Sequence, residues 1–283
     1  MPSIGLGTWQ QRDSSVVHRV VHQALEMGYR LIDTATAYRN ETAIGEALNH
    51  VFTQENSQLS REDIWITSKL SPRQQGLEQA EAAVYESLEK LCTDYIDLYL
   101  IHWPGVSKKS PDSPEHRKYR EESWKSLERL YKQGKVRAIG VSNYTIRHLE
   151  EMREYAEIMP MVNQCELHPL CPQPELLQYC QKNDIVFIAY ASFGESELLP
   201  PSTQLPELSV AAARRPDLTC AQILLLWGLQ HNAAVIPKSS SEDHLRENLA
   251  ATRQLLSSEE LEILDKIDYT RHRHFCWNPE KIV

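Results

Sequence analysis

The segments IDLYLI, residues 96–101, and VRAIGV, residues 136–141, are apolar nearly end to end and lack the strict alternation of a half-exposed strand. Runs of this kind are buried on both faces, and such strands belong to parallel sheets covered by helices. Between them, SWKSLERLYKQGK (residues 123–135) carries a helical apolar spacing and stops at Gly134, a residue suited to ending a helix. Strand, helix and strand here form one βαβ unit.

The same alternation extends in both directions. Strands are predicted at 3–6, 30–33, 64–68, 96–101, 136–141, 161–164, 185–189 and 235–236. Helices are predicted at 16–28, 76–92, 123–135, 146–158, 175–183, 221–230, 242–252 and 258–267. In the first helix Val17, Val20, Val21, Ala24 and Leu25 share one face, and Gly28 closes it. Strict alternation of eight strands with helices predicts an α/β fold, a closed (β/α)8 TIM barrel, with residues 1–283 as one domain. Two stretches, 104–120 and 192–216, read as long loops. Both follow strand C-termini, the face on which barrels build their active sites.

Bulk properties narrow the function. The chain has 283 residues and a formal charge of −9, spread along its length with no run of five basic residues, so neither nucleic acid nor an acidic membrane surface is an expected partner. No apolar window is long enough to cross a bilayer, and the N-terminal residues do not read as a secretory signal, so a cytoplasmic protein is expected. Six cysteines without a CxxC suggest reduced thiols. Cys165, His168 and Cys171 fall close together in CELHPLC, but the set lacks a fourth ligand, so no metal is expected.

A barrel should gather its reactive groups at strand C-termini, and this chain does so. Asp33 ends the second strand, Tyr38 follows on its loop, Lys69 ends the third strand and His102 the fourth. A buried lysine and aspartate need each other. A lysine beside a tyrosine is expected to lower the phenol pKa, a phenol can protonate a carbonyl oxygen, and a histidine can hold that oxygen. Taken singly each residue has a plain structural explanation; their joint placement at consecutive strand ends does not.

The motifs MPSIGLGTW, GYRLIDTATAYRNE, WITSKL, DYIDLYLIHWP, GKVRAIGVSN, VNQCELHP and IPKS together resemble the aldo-keto reductases along almost the whole chain. The resemblance implies that Asp33, Tyr38, Lys69 and His102 are the catalytic tetrad, with Tyr38 the general acid, and that the activity is NADPH-dependent reduction of small aldehydes or ketones to alcohols. It implies that Ser142, Asn143 and Gln164 hold the nicotinamide carboxamide and that Tyr190 stacks on the ring. Gly7, Thr8, Trp9, Asp33, Ala191 and Phe193 are implied beside them. Lys238, Ser239, Ser240 and Ser241 are implied for the 2′-phosphate, with His244, Glu247 and Asn248 around the adenine. Trp9 and Trp103 are implied, with Tyr38 and His102, as substrate contacts, joined by the 192–216 segment and residues 275–277.

The chain departs from the family pattern in three places. His244 stands where the family has an arginine, and Arg246 comes two positions later, so NADH use is not excluded and NADPH affinity is expected to fall as pH rises. The N-terminal hairpin of the family does not precede the first strand, and the tail is short. An NADPH-binding regulatory barrel with little turnover is the alternative function, opposed by the intact tetrad. A metal-dependent hydrolase would need more ligands than Asp33 and His102. Nothing calls for more than a monomer.

Overall fold

The computed structural model describes residues 1–201, 205–267 and 269–283. Eight strands follow in chain order: β1 (Leu6–Gly7), β2 (Leu31–Asp33), β3 (Trp65–Leu70), β4 (Leu98–Ile101), β5 (Ile139–Ser142), β6 (Val162–Glu166), β7 (Val186–Tyr190) and β8 (Ala233–Val235). Each pairs in parallel with the next. The barrel closes where Val235 N donates to Ser3 O and Gly5 N to Val235 O, both at 2.9 Å. At this seam Gly7 is required, since a Cβ there would stand 2.4 Å from Ile236 O.

The helices that return the chain are α1 (Ser14–Met27), α2 (Glu41–Thr53), α3 (Leu77–Lys90), α4 (Glu115–Lys132), α5 (Ile146–Met152), α6 (Pro174–Lys182), α7 (Pro206–Arg214), α8 (Cys220–Gln230), α9 (Glu242–Ala251) and α10 (Ser258–Asp265). Among the described residues none is long and apolar enough to cross a membrane. Helix α1 begins where Asp13 accepts from Ser15 N and Val16 N, and ends at left-handed Gly28, φ 108°. Helix α8 begins at a reciprocal Thr219–Gln222 capping box.

Three expectations about elements fail. The sequence reading has no helix between the second and third strands, yet α2 lies there, burying Ala43, Ile44, Ala47, Leu48 and Val51. The 104–120 loop is shorter than expected, because α4 starts at Glu115; its first turns are mostly charged, but His116 and Arg120 are buried by polar partners. The 192–216 stretch contains α7, with Leu208 and Ala211 packed inward; residues 202–204 of it lie outside the described residues.

Two apolar layers result. The larger lies between strands and helices; the smaller fills the barrel with Leu31, Leu98, Leu100, Ala138, Val162, Ile188, Ala234 and Ile236. Each fully buried leucine or isoleucine contributes about 1.5–3 kcal/mol relative to exposure. This interior layer plugs the barrel, leaving only the C-terminal mouth for chemistry.

Candidate active site

Side chains alternate along a strand, so an interior residue predicts the direction of the residue two places on. Leu31 in the barrel leads to Asp33 at the mouth. Leu98 and Leu100 lead to His102. Val162 leads to Gln164 and then Glu166, and Ile188 leads to Tyr190. Lys69 pairs in register with Leu100 and shares its inward row. The layer at the mouth therefore continues the core pattern, with polar residues replacing apolar ones where the barrel opens.

These groups meet as the sequence predicts. Lys69 is fully buried; its Nζ donates to Asp33 Oδ1, to Thr34 O at 2.9 Å and to the Tyr38 hydroxyl at 3.4 Å. The second Asp33 oxygen accepts from Gln164 Nε2 at 2.8 Å. Tyr38 sits on a short helical turn (Thr36–Tyr38) anchored by Thr36 Oγ1 donating to Lys69 O at 3.0 Å. Its half-buried ring lies 4.8 Å from Trp9 and 5.6 Å from His102, centroid to centroid.

The electrostatics correct one expectation. Burial raises the Tyr38 pKa more than Lys69 lowers it, so the phenol sits above its ordinary value rather than below. A phenol that stays protonated at neutral pH is in the right state to donate. Burial alone would push Lys69 down, but Asp33 and Tyr38 outweigh it and keep the ammonium charged. Burial first, and Lys69 second, push His102 to about 3, so its imidazole is neutral.

The residues expected around the nicotinamide converge on the same mouth, in one hydrogen-bond network. Ser142 Oγ donates to Gln164 O at 2.7 Å. Left-handed Asn143, φ 64°, donates from Nδ2 to His102 O at 3.0 Å and accepts from the Tyr190 hydroxyl at 2.6 Å. The buried Thr8 hydroxyl is committed to Asp33 O at 2.9 Å. Trp9 is exposed beside Tyr38, while Ala191 and half-buried Phe193 follow β7. Trp103 lies 6.1 Å, edge on, from Trp277 of the tail.

The expected phosphate segment lies next to this mouth, because Lys238 bridges Gly7 across the β8–β1 seam. Lys238 and Ser240 are exposed, and Ser241 caps α9. Glu242 and Asp243 occupy the first turn of α9, where their charge complements the positive end of the helix dipole. His244 is exposed. Arg246 is held by Glu242 at 3.0 Å, Glu247 accepts from the Thr219 hydroxyl, and Asn248 is buried.

One mouth residue escaped the sequence reading. Glu166 is buried and gathers the 274–276 segment. Its signal was present in VNQCELHP: once Gln164 faces inward, so does Glu166.

Comparison with known proteins agrees with this geometry. The model of the aldo/keto reductase family matches residues 3–269. Glyoxal reductase of Bacillus subtilis is 40% identical over 268 residues, covering 95% of this chain and 89% of that protein. Glycerol 2-dehydrogenase (NADP(+)) of Hypocrea jecorina is 34% identical over 293 residues, covering 97% and 91%. A crystal structure of Bombyx mori aldo-keto reductase in complex with NADP superposes with a TM-score of 0.85 at 30% identity, covering 96% and 91%. The chain belongs to the aldo/keto reductase family and is an oxidoreductase of carbonyl compounds.

Proposed function

We propose that this enzyme reduces small reactive aldehydes and ketones to alcohols, with Tyr38 as proton donor and NADPH as preferred cofactor. The observation that carries the reading is the Tyr38 hydroxyl, 3.4 Å from a buried ammonium and beside His102 at the barrel mouth.

The residues present fit the cofactor. Ser192 Oγ and His102 Nδ1 are buried without a protein partner, and Lys238 makes no ion pair among the described residues. When bound, NADPH supplies hydride to the carbonyl carbon. Ser142, Asn143 and Gln164 would hold its carboxamide and Tyr190 its ring, flanked by Gly7, Thr8, Trp9, Ala191 and Phe193. Lys238 and Ser239 to Ser241 would take the 2′-phosphate, and His244, Glu247 and Asn248 the adenine end.

The protein's own groups manage the proton. The Tyr38 hydroxyl hydrogen-bonds the carbonyl oxygen and transfers its proton as negative charge grows there. The phenolate left behind is stabilised by Lys69, whose charge Asp33 balances. Neutral His102 can hydrogen-bond the same oxygen without competing as an acid. Trp9 and Trp103 line the approach.

The test is the initial rate of NADPH consumption with a reactive aromatic aldehyde, repeated with NADH and in Tyr38→Phe. Turnover that prefers NADPH and falls at least about 100-fold in the variant supports the proposal. Turnover retained in Tyr38→Phe, or NADPH binding without turnover over a broad aldehyde panel, overturns it.

A further inference from the structure

Above the catalytic layer, Glu166 ends β6 with its side chain almost wholly enclosed. Its two oxygens have different surroundings. Oε1 accepts from His168 Nε2 at 2.9 Å, from Phe275 N at 2.6 Å and from Cys276 N at 3.3 Å. Oε2 faces His274 Nδ1 at 2.9 Å, with a longer contact from Cys276 N at 3.3 Å. Buried Cys171 places its Sγ 3.5 Å from that same imidazole nitrogen. A tight bridge, Cys171 N donating to His168 O at 2.7 Å, holds the thiol there. One carboxylate oxygen, one thiol and one imidazole nitrogen thus lie within 4.8 Å of one another.

We propose that Glu166 Oε2, Cys171 Sγ and His274 Nδ1 form a zinc site that fastens the tail to the barrel mouth. The donor set selects the ion: thiolate and imidazole suit Zn²⁺, whereas Mg²⁺ and Ca²⁺ require oxygen. Tetrahedral zinc at ordinary bond lengths separates its ligands by roughly 3.4–3.6 Å. The O···N and N···S separations of 2.9 and 3.5 Å need only small adjustments, while the Glu166 Oε2 and Cys171 Sγ pair, within 4.8 Å, must draw together by up to about 1.3 Å on binding. His274 is a quarter exposed on its side chain, which leaves an open side for water as fourth ligand.

Charge and protons balance. Zinc displaces the thiol proton, and any proton on His274 Nδ1, to solvent; carboxylate plus thiolate then neutralise the dication within a buried site. The three donors on Oε1 already orient the carboxylate, as the supporting shell of a metal site does. This set differs from the one in CELHPLC weighed on sequence alone: Cys165 turns toward Asn163 and the Tyr144 carbonyl, His168 supports Glu166, and His274 arrives from about a hundred residues away. Zinc here would fix the base of the segment that carries Phe275, against His168, and Trp277, against Trp103.

The test uses the full chain, reduced and stripped with a chelator, titrated with Co²⁺ and then Zn²⁺. The expected result is one equivalent of tetrahedral Co²⁺ absorption with a thiolate charge-transfer band, displaced by Zn²⁺ with Kd below about 1 µM. The band persists in Cys92→Ser and disappears in Cys171→Ser, and His274→Ala weakens binding at least about 100-fold, with circular dichroism unchanged. Zn²⁺ should also protect the tail from limited proteolysis in wild type and not in Cys171→Ser. A folded wild type without the band, a band equally strong in Cys171→Ser, or binding weaker than that threshold overturns the proposal.

Discussion

The buried pair of Asp33 and Lys69 is the strongest handle on this site. Both side chains are nearly or wholly enclosed. Asp33→Asn keeps an oxygen for Gln164 but leaves the Lys69 ammonium with only Thr34 O and the Tyr38 hydroxyl. Lys69→Met keeps the stem volume but leaves the Asp33 charge with Gln164 alone. Removing one partner of a buried pair typically costs about 3–5 kcal/mol, whereas replacing both charges is often nearly neutral. Each single variant should therefore lose about 3 kcal/mol or more in denaturant unfolding, read as a lower midpoint at constant slope. The double variant should recover at least about 2 kcal/mol relative to the sum of the two. Activity should behave differently. All three variants should lose at least about 100-fold in kcat, because the phenolate of Tyr38 has lost its balanced ammonium. The reasoning fails if the double variant is destabilised by the simple sum, or if it recovers activity along with stability.

Four further outcomes follow from particular residues. His102, pushed down to about 3, should keep the nitrogen chemical shifts of a neutral imidazole from pH 8 to pH 5; a titration in that range would refute its role as an uncharged hydrogen-bonding group. The linkage has a definite sign: between pH 6.5 and about 3 the unfolded state binds a proton that the folded state refuses, so stability falls with acidity across that window, and His102→Asn should flatten the loss in unfolding curves. His244→Arg should tighten NADPH binding by roughly 2- to 5-fold, the worth of an exposed charge pair, and leave NADH unchanged; equal effects on both cofactors would place residue 244 away from the 2′-phosphate. Gly45→Ala should destabilise by about 1–3 kcal/mol in thermal unfolding despite the better helix propensity of alanine, because its Cβ would meet Lys90 O at 2.3 Å.

Helix α2 shows why one element stayed hidden. Ala43, Ile44, Ala47, Leu48 and Val51 carry a helical spacing, but Gly45 interrupts it in the middle. That glycine exists for a tertiary reason, the close approach of the end of α3, which no local pattern reveals. The first turns of α4 were obscured differently: Arg120 is wholly buried, yet its partners are Glu151 and the Pro104 and Val283 carbonyls, distant in sequence. Burial that depends on remote polar partners leaves no apolar stripe to read.

The placement of the mouth residues was legible for the opposite reason. Asp33, Lys69, His102 and Gln164 stand on strand rows whose direction is set by local alternation, so sequence position alone determines where they point. The sign of the Tyr38 shift was not legible, because it depends on how completely the mouth excludes water, a property of the assembled rim. Charge proximity and burial act in opposite directions on a phenol; the sequence names the nearby lysine, whereas only the packed structure supplies the burial that outweighs it. The same distinction separates Glu166 from its partners. Its inward direction follows from Gln164 two residues earlier, but His274 reaches it from the far end of the chain, so the cluster exists only once the tail has folded across the mouth. The mouth cluster rests on short-range order within the barrel, whereas what closes over it depends on contacts that span most of the chain.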